Sequence, residues 1–151
     1  MLPSLMPRVA VLNGPNMNML GLRQPQLYGR ATLDDLEAIC AETAEQLSLA
    51  IDFRQTNSEG ELISWVQECR GQSAGIIINP AGYITSIGLL DALLAVALPV
   101  VEVHITNMAR REEFRHNSLV SRAATGVISG FGVGGYRLAL MAMADLLEDA
   151  A

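Results

Sequence analysis

Glu102 and His104 lie two positions apart in an apolar, β-branched run, Val100-Val101-Glu102-Val103-His104. Alternation along a strand puts both on one face, where the carboxylate can orient the imidazole and hold one tautomer. A histidine so placed is either a hydrogen-bonded structural residue or a general acid and base. Tyr28 follows Arg23 in a loop rich in glycine and proline. It is either a surface aromatic or, if the guanidinium lowers the phenol's pKa, a phenolate base. Other apolar runs end in polar side chains: Asn13 and Asn16 after the first, Asn57 and Glu59 after the second, Asn79 after the third. These residue types fit proton transfer on a small polar ligand.

Composition narrows the chemistry. All ten cations are arginine, so a lysine Schiff base and a lysine-cradled phosphate are both excluded. Two histidines and two cysteines, Cys40 and Cys69 at apolar helical positions, offer no recognised metal-ligand spacing, and the thiols read as buried core. A net charge of -6 with scattered cations argues against nucleic acid as a partner and for a small-molecule ligand. Half the residues are hydrophobic, which favours a homo-oligomer that covers apolar surface. Met1 to Arg8 is too short and too weakly apolar for a signal peptide, and no stretch nears the ~20 apolar residues of a membrane span. A cytoplasmic protein is expected.

The elements that must position these residues alternate. Strand-like runs occur at Val9 to Asn13, Ala50 to Arg54, Gly75 to Asn79, Val100 to His104 and Thr125 to Ser129. Between them, apolar residues three and four apart predict helices over Leu33 to Leu47 (with Thr32 as N-cap), Glu59 to Arg70, about Ser86 to Ala97, and Gly135 to Glu148. Such alternation predicts right-handed βαβ crossovers and an all-parallel sheet. A chain of 151 residues is too short for an eight-stranded barrel, which takes about 250. The expected fold is therefore α/β, a flavodoxin-like three-layer sandwich with five parallel strands, one domain over 1–151 with a flexible tail at 1–7. Asn13 to Ala31 and Ile105 to Arg122 fit no regular element, and loops longer than ~12 residues in a compact domain are usually functional. Both follow strands, so both open at one sheet edge. Gly130-Phe131-Gly132-Val133-Gly134-Gly135 has the wrong spacing for a dinucleotide loop and reads as a tight turn.

Taken in order, Leu12-Asn13-Gly14-Pro15-Asn16, Arg23 with Pro25 and Tyr28-Gly29, Gln55 through Leu62, Asn79-Pro80, Glu102-Val103-His104, Phe114-Arg115-His116 and Gly135 through Leu140 resemble the successive signatures of type II 3-dehydroquinate dehydratases. The resemblance runs from about Val9 to Leu146. It implies a cofactor-free lyase that removes water from 3-dehydroquinate to give 3-dehydroshikimate, in the shikimate or quinate pathways, with trimers assembled into a dodecamer. It further implies that Tyr28 is the base, supported by Arg23; that Asn16 positions a water on the enolate; and that His104, oriented by Glu102, protonates the leaving hydroxyl. Asn79, Ile105, Thr106 and Arg115 match substrate-anchoring positions, and Asp91 matches an aspartate that reaches a neighbouring subunit's site.

The chain also departs from the pattern. Between Tyr83 and Asp91 it is one residue shorter than the family's usual Tyr-Thr-His-Thr-Ser segment: the substrate-binding histidine is absent, Leu90 replaces an arginine, and Ser58 stands where histidine or alanine is common. Loss of one hydrogen-bonding group costs on the order of 1 to 3 kcal/mol of affinity. Reduced efficiency or a shifted substrate is expected, and a non-catalytic paralogue binding a cyclic polyol acid or a protein partner is the alternative. A flavin or nucleotide binder is disfavoured by the proline in the first loop and the missing phosphate loop.

Overall fold

The computed structural model describes residues 6–22 and 24–150. Five strands form one parallel sheet: β1 (Arg8–Asn13), β2 (Ala50–Gln55), β3 (Gly75–Asn79), β4 (Val100–His104) and β5 (Gly126–Ser129), in the order β2-β1-β3-β4-β5. This is the flavodoxin-like arrangement, and strand limits agree with the sequence reading to within one residue. The expected tail lies outside the described residues over 1–5; at its end the Pro7 carbonyl already accepts from Ala50 N.

Each connecting helix follows from local chemistry. Beside a short helical turn, α1 (Pro25–Tyr28), the crossovers are α2 (Leu33–Gln46), α3 (Glu59–Glu68), α4 (Ile87–Val96) and the closing α5 (Gly135–Ala150). Thr32 caps α2 by accepting from Asp35 N at 3.1 Å while the Asp35 carboxylate accepts from Thr32 N at 2.9 Å, a reciprocal capping box. Ser58 and Ser86 cap α3 and α4 with the hydroxyl alone, accepting from Glu61 N and Leu89 N. The serine at position 58 therefore has a structural use of its own.

Alternation along the strands feeds two cores. Val9, Val11, Ile77, Val101 and Val103 pack under α2 and α5 with Leu36, Cys40, Tyr136, Leu140 and Met143. Ala10, Leu12, Ile76, Ile78 and Val100 pack under α3 and α4 with Leu62, Val66, Leu89 and Leu93. Full burial of each large aliphatic side chain contributes roughly 1.5 to 3 kcal/mol. Both cysteines are free and buried, as read from the sequence; burial pushes the Cys40 thiol up to about 12 and that of Cys69 upward as well.

Where two long irregular loops are expected from the sequence, the structure has short turns of helix: Met17–Met19 and α1 in the first, Met108–Arg110, Glu113–Arg115 and Val120–Arg122 in the second. Single turns like these carry no apolar periodicity, so nothing in the local pattern announces them. Gly14 fixes the first loop against the sheet. A Cβ there would sit 2.5 Å from the Pro80 carbonyl oxygen, and Gly14 N donates to Asn79 O at 2.8 Å.

Candidate active site at the carboxyl edge of the sheet

Parallel register does the first part of the assembly. Asn13 pairs with Gln55 on one side and Asn79 on the other, Ile78 pairs with Glu102, and His104 pairs with Ser129. Residues up to 116 positions apart thus end on one edge, where α/β sheets bind ligands. A cavity of about 140 Å³ opens there between the two long loops, and its walls include Asn16, Tyr28, Asn79, His104, Thr106 and Arg115.

Glu102 is fully buried and His104 nearly so. His104 Nε2 stands 2.5 Å from Glu102 Oε2, and Ser121 Oγ donates to Glu102 Oε1 at 2.6 Å. Burial pushes the carboxyl's pKa upward, but the hydrogen bonds from His104 and Ser121 and the charge of His104 outweigh it and hold the value below normal. The carboxylate therefore accepts from Nε2, and Nδ1 is left to exchange a proton.

On the other loop, Tyr28 Oη accepts from Arg111 Nη1 at 3.1 Å, and the same nitrogen donates to Thr106 Oγ1 at 2.9 Å. The guanidinium also lies 5.5 Å from the centre of the Tyr28 ring, and its side chain is only 9% exposed. Arg111 thereby ties the two long loops together. Tyr28, Ile105, Thr106 and Arg111 form the partition between the cavity and a wider, open depression of about 850 Å³.

The remaining expected residues fall into distinct situations. Asn16 adopts a left-handed φ of 69° and its backbone N–H donates to Asn57 Oδ1, leaving its side chain on the cavity wall. Asn79 is 3% exposed: its amide nitrogen donates to Tyr136 Oη, and its carbonyl oxygen accepts from Ala81 N. Ile105 is buried, and its carbonyl accepts from Gly132 N. Arg115 Nε donates to Glu112 Oε2 at 2.7 Å. Asp91 is exposed on α4 and does not line the cavity of this chain, while Arg23 lies outside the described residues. His116 donates to the Arg111 carbonyl and is likewise not on the wall.

Sequence reasoning missed Arg111, Ser121 and the anchoring role of Tyr136. Nothing distinguishes Arg111 from its neighbour Arg110 in the run Arg110 to His116; only burial does. The shortened segment forms a 3-10 turn, Ala81–Thr85, in which Ile84 is buried and its carbonyl accepts from Leu119 N. The Ala81 and Gly82 that face the cavity bring no polar side chain.

A flavodoxin-like α/β protein with a buried carboxylate–imidazole pair at its carboxyl edge is the class that fold and site define. Within that class, the chain belongs to the class II dehydroquinase family, which it matches over residues 7–144. It is 58% identical to 3-dehydroquinate dehydratase 2 of Pseudomonas aeruginosa, over 95% of this chain and 97% of that one. The 3-dehydroquinate dehydratase of Phenylobacterium zucineum is 55% identical, over 91% and 96% of the respective chains. Among solved structures, the type II dehydroquinase of Propionibacterium acnes superposes with a TM-score of 0.88 at 45% identity, covering 91% of this chain and 96% of that one.

Proposed function

We propose that the protein removes water from 3-dehydroquinate to give 3-dehydroshikimate, in the cytoplasm and without a cofactor. The observation that carries this reading is the presence, on one cavity, of a phenol held by a largely buried guanidinium and an imidazole held by a buried carboxylate. Tyr28, as phenolate, takes the proton from the carbon beside the ketone. Negative charge on its oxygen is stabilised by Arg111, with Arg23, from the loop that carries Tyr28, as a second cation. The electron pair passes into an enolate, whose oxygen is held through a water positioned by Asn16. His104 then gives its proton to the departing hydroxyl, the C–O bond breaks, and water leaves as the ring enone forms. Glu102 keeps the imidazole oriented and stabilises its protonated form.

Thr106, Ile105, Arg115 and Asn79 make the anchoring wall. An arginine grips carboxylate oxygens in a planar, bidentate manner, and Arg115, 26% exposed and paired with the exposed Glu112, can exchange that partner for a substrate carboxylate. Asn79 acts from behind, as its amide is already bonded to Tyr136 and Ala81. The same reading includes trimers building a dodecamer. Ile87, Asp91 and Leu94 lie at i, i+4 and i+7 on the exposed side of α4, a mostly apolar face that suits a second copy and would carry Asp91 to a neighbouring site.

The test is an ultraviolet assay for the conjugated enone carboxylate with purified protein and 3-dehydroquinate, beside Tyr28→Phe. Product that disappears in the variant supports both the reaction and the base. The Ala81 and Gly82 wall favours one second reading, a relative shifted to a less polar cyclic acid, and folded wild-type protein that produces no enone would turn the assignment to it.

A further inference from the structure

The last part of the second long loop returns towards β4 and sets two hydroxyls near Glu102. Val120, fully buried beneath α4, pins the 3-10 turn Val120–Arg122, and the Leu119 N–H donates to Ile84 O. With the start of the turn fixed, Ser121 Oγ is delivered 2.6 Å from Glu102 Oε1. Ser118 Oγ is also buried. Among the described residues it makes no hydrogen bond of good geometry, yet it lies near enough to lower the carboxyl's pKa.

We propose that Ser121, assisted by Ser118, is a positioning residue that keeps the Glu102–His104 pair in its carboxylate and imidazolium form. The two microstates of that pair, proton on the imidazole or proton on the carboxyl, carry the same net charge. Burial favours the neutral arrangement, in which Glu102 is a carboxylic acid and His104 a neutral imidazole, whose one N–H is too weak an acid to serve a leaving hydroxyl. A hydroxyl that donates to Oε1 acts on the carboxylate alone, so it tips the balance towards the form His104 needs as a proton donor. It also fixes the carboxylate's rotation, so that Oε2 faces Nε2.

The surroundings leave this task to the serines. On this face β3 presents Ile76 and Ile78, α4 presents Leu89, Ala92 and Leu93, α3 presents Leu62 and Val66 with Cys69, and β5 presents Val127. Arg122 on the serine turn is exposed, Arg111 and Arg115 line the cavity beside His104, and His104 is the ionisable group whose charge acts on the carboxyl.

The inference rests on the dehydratase reading for its kinetic consequence, but not for its structural one. The experiment therefore has two arms on wild type, Ser121→Ala, Ser121→Thr, Ser121→Cys and Ser118→Ala: the pH profile of kcat with 3-dehydroquinate, and an NMR titration of the Glu102 carboxyl carbon and the His104 ring nitrogens, assigned with His116→Asn. In Ser121→Ala the acid limb of kcat and the carboxyl titration should both rise by about one pH unit, with KM changed less than about twofold. Threonine should restore both, and cysteine, a weaker donor, should fall between; Ser118→Ala should move them in the same direction by less. If Ser121→Ala does not fold, the cysteine and threonine variants decide alone. An unmoved carboxyl titration in a folded Ser121 variant overturns the proposal whatever the activity. A shifted titration in a protein whose wild type produces no enone would retain the positioning role and reject the dehydratase reading.

Discussion

Arg111 donates to the Tyr28 oxygen and, through the same nitrogen, to Thr106. If it stabilises charge that develops on that oxygen, Arg111→Ala should lower kcat by roughly 10² to 10³-fold while the protein remains folded, in the range seen when one preorganised donor is removed. Steady-state kinetics beside circular dichroism check this, and a change confined to KM would assign Arg111 to binding instead. Glu102 makes a second residue-scale prediction. Its folded pKa lies below the ordinary 4.5, so the folded protein holds this proton less readily than the unfolded chain does. The stability that follows is complete above about pH 4.5 and is lost as pH falls through the folded value. Urea unfolding between pH 3 and 6 should therefore be less pH-dependent in Glu102→Gln than in wild type. The Glu102–His104 relation was legible because strand alternation is strict. Arg111 was not, because its burial depends on a loop that doubles back onto α1, and residue type alone does not encode that path.

At the scale of elements, the helix starts were written locally. Thr32, Ser58 and Ser86 each accept from a backbone N–H three residues on, which is a contact fixed by covalent spacing. Thr32→Ala removes the hydroxyl half of a capping box and should cost about 1 kcal/mol, read as a lower urea midpoint. Gly14→Ala should cost more than that cap, because its Cβ would meet backbone, the Pro80 carbonyl, and no rotamer can relieve the contact. The turns inside the long loops escaped the sequence reading for the complementary reason. They are stabilised by partners far along the chain, such as Ser129 Oγ, which accepts from Met108 N and donates to Thr106 O.

Across the whole molecule, Tyr136 connects the ends of the chain. Fully buried on α5, it donates to Asn13 Oδ1 at 2.7 Å and accepts from Asn79 Nδ2 at 3.0 Å, and burial raises its pKa. Tyr136→Phe leaves two buried amides without that partner, and should destabilise the fold by about 1 to 3 kcal/mol and raise KM through a loosened Asn79. Denaturation and kinetics on the same preparation test both effects. The sequence by itself determined the alternation of strands and helices, the all-parallel sheet, the caps, and the polar residues that end each strand, because these follow from side-chain period and backbone spacing over a few residues. Only the tertiary structure decided which of those polar groups share a cavity, which arginine reaches Tyr28, and which serine holds Glu102. Those contacts join residues from 19 to 123 positions apart, and their existence depends on sheet register and on how loops close over it.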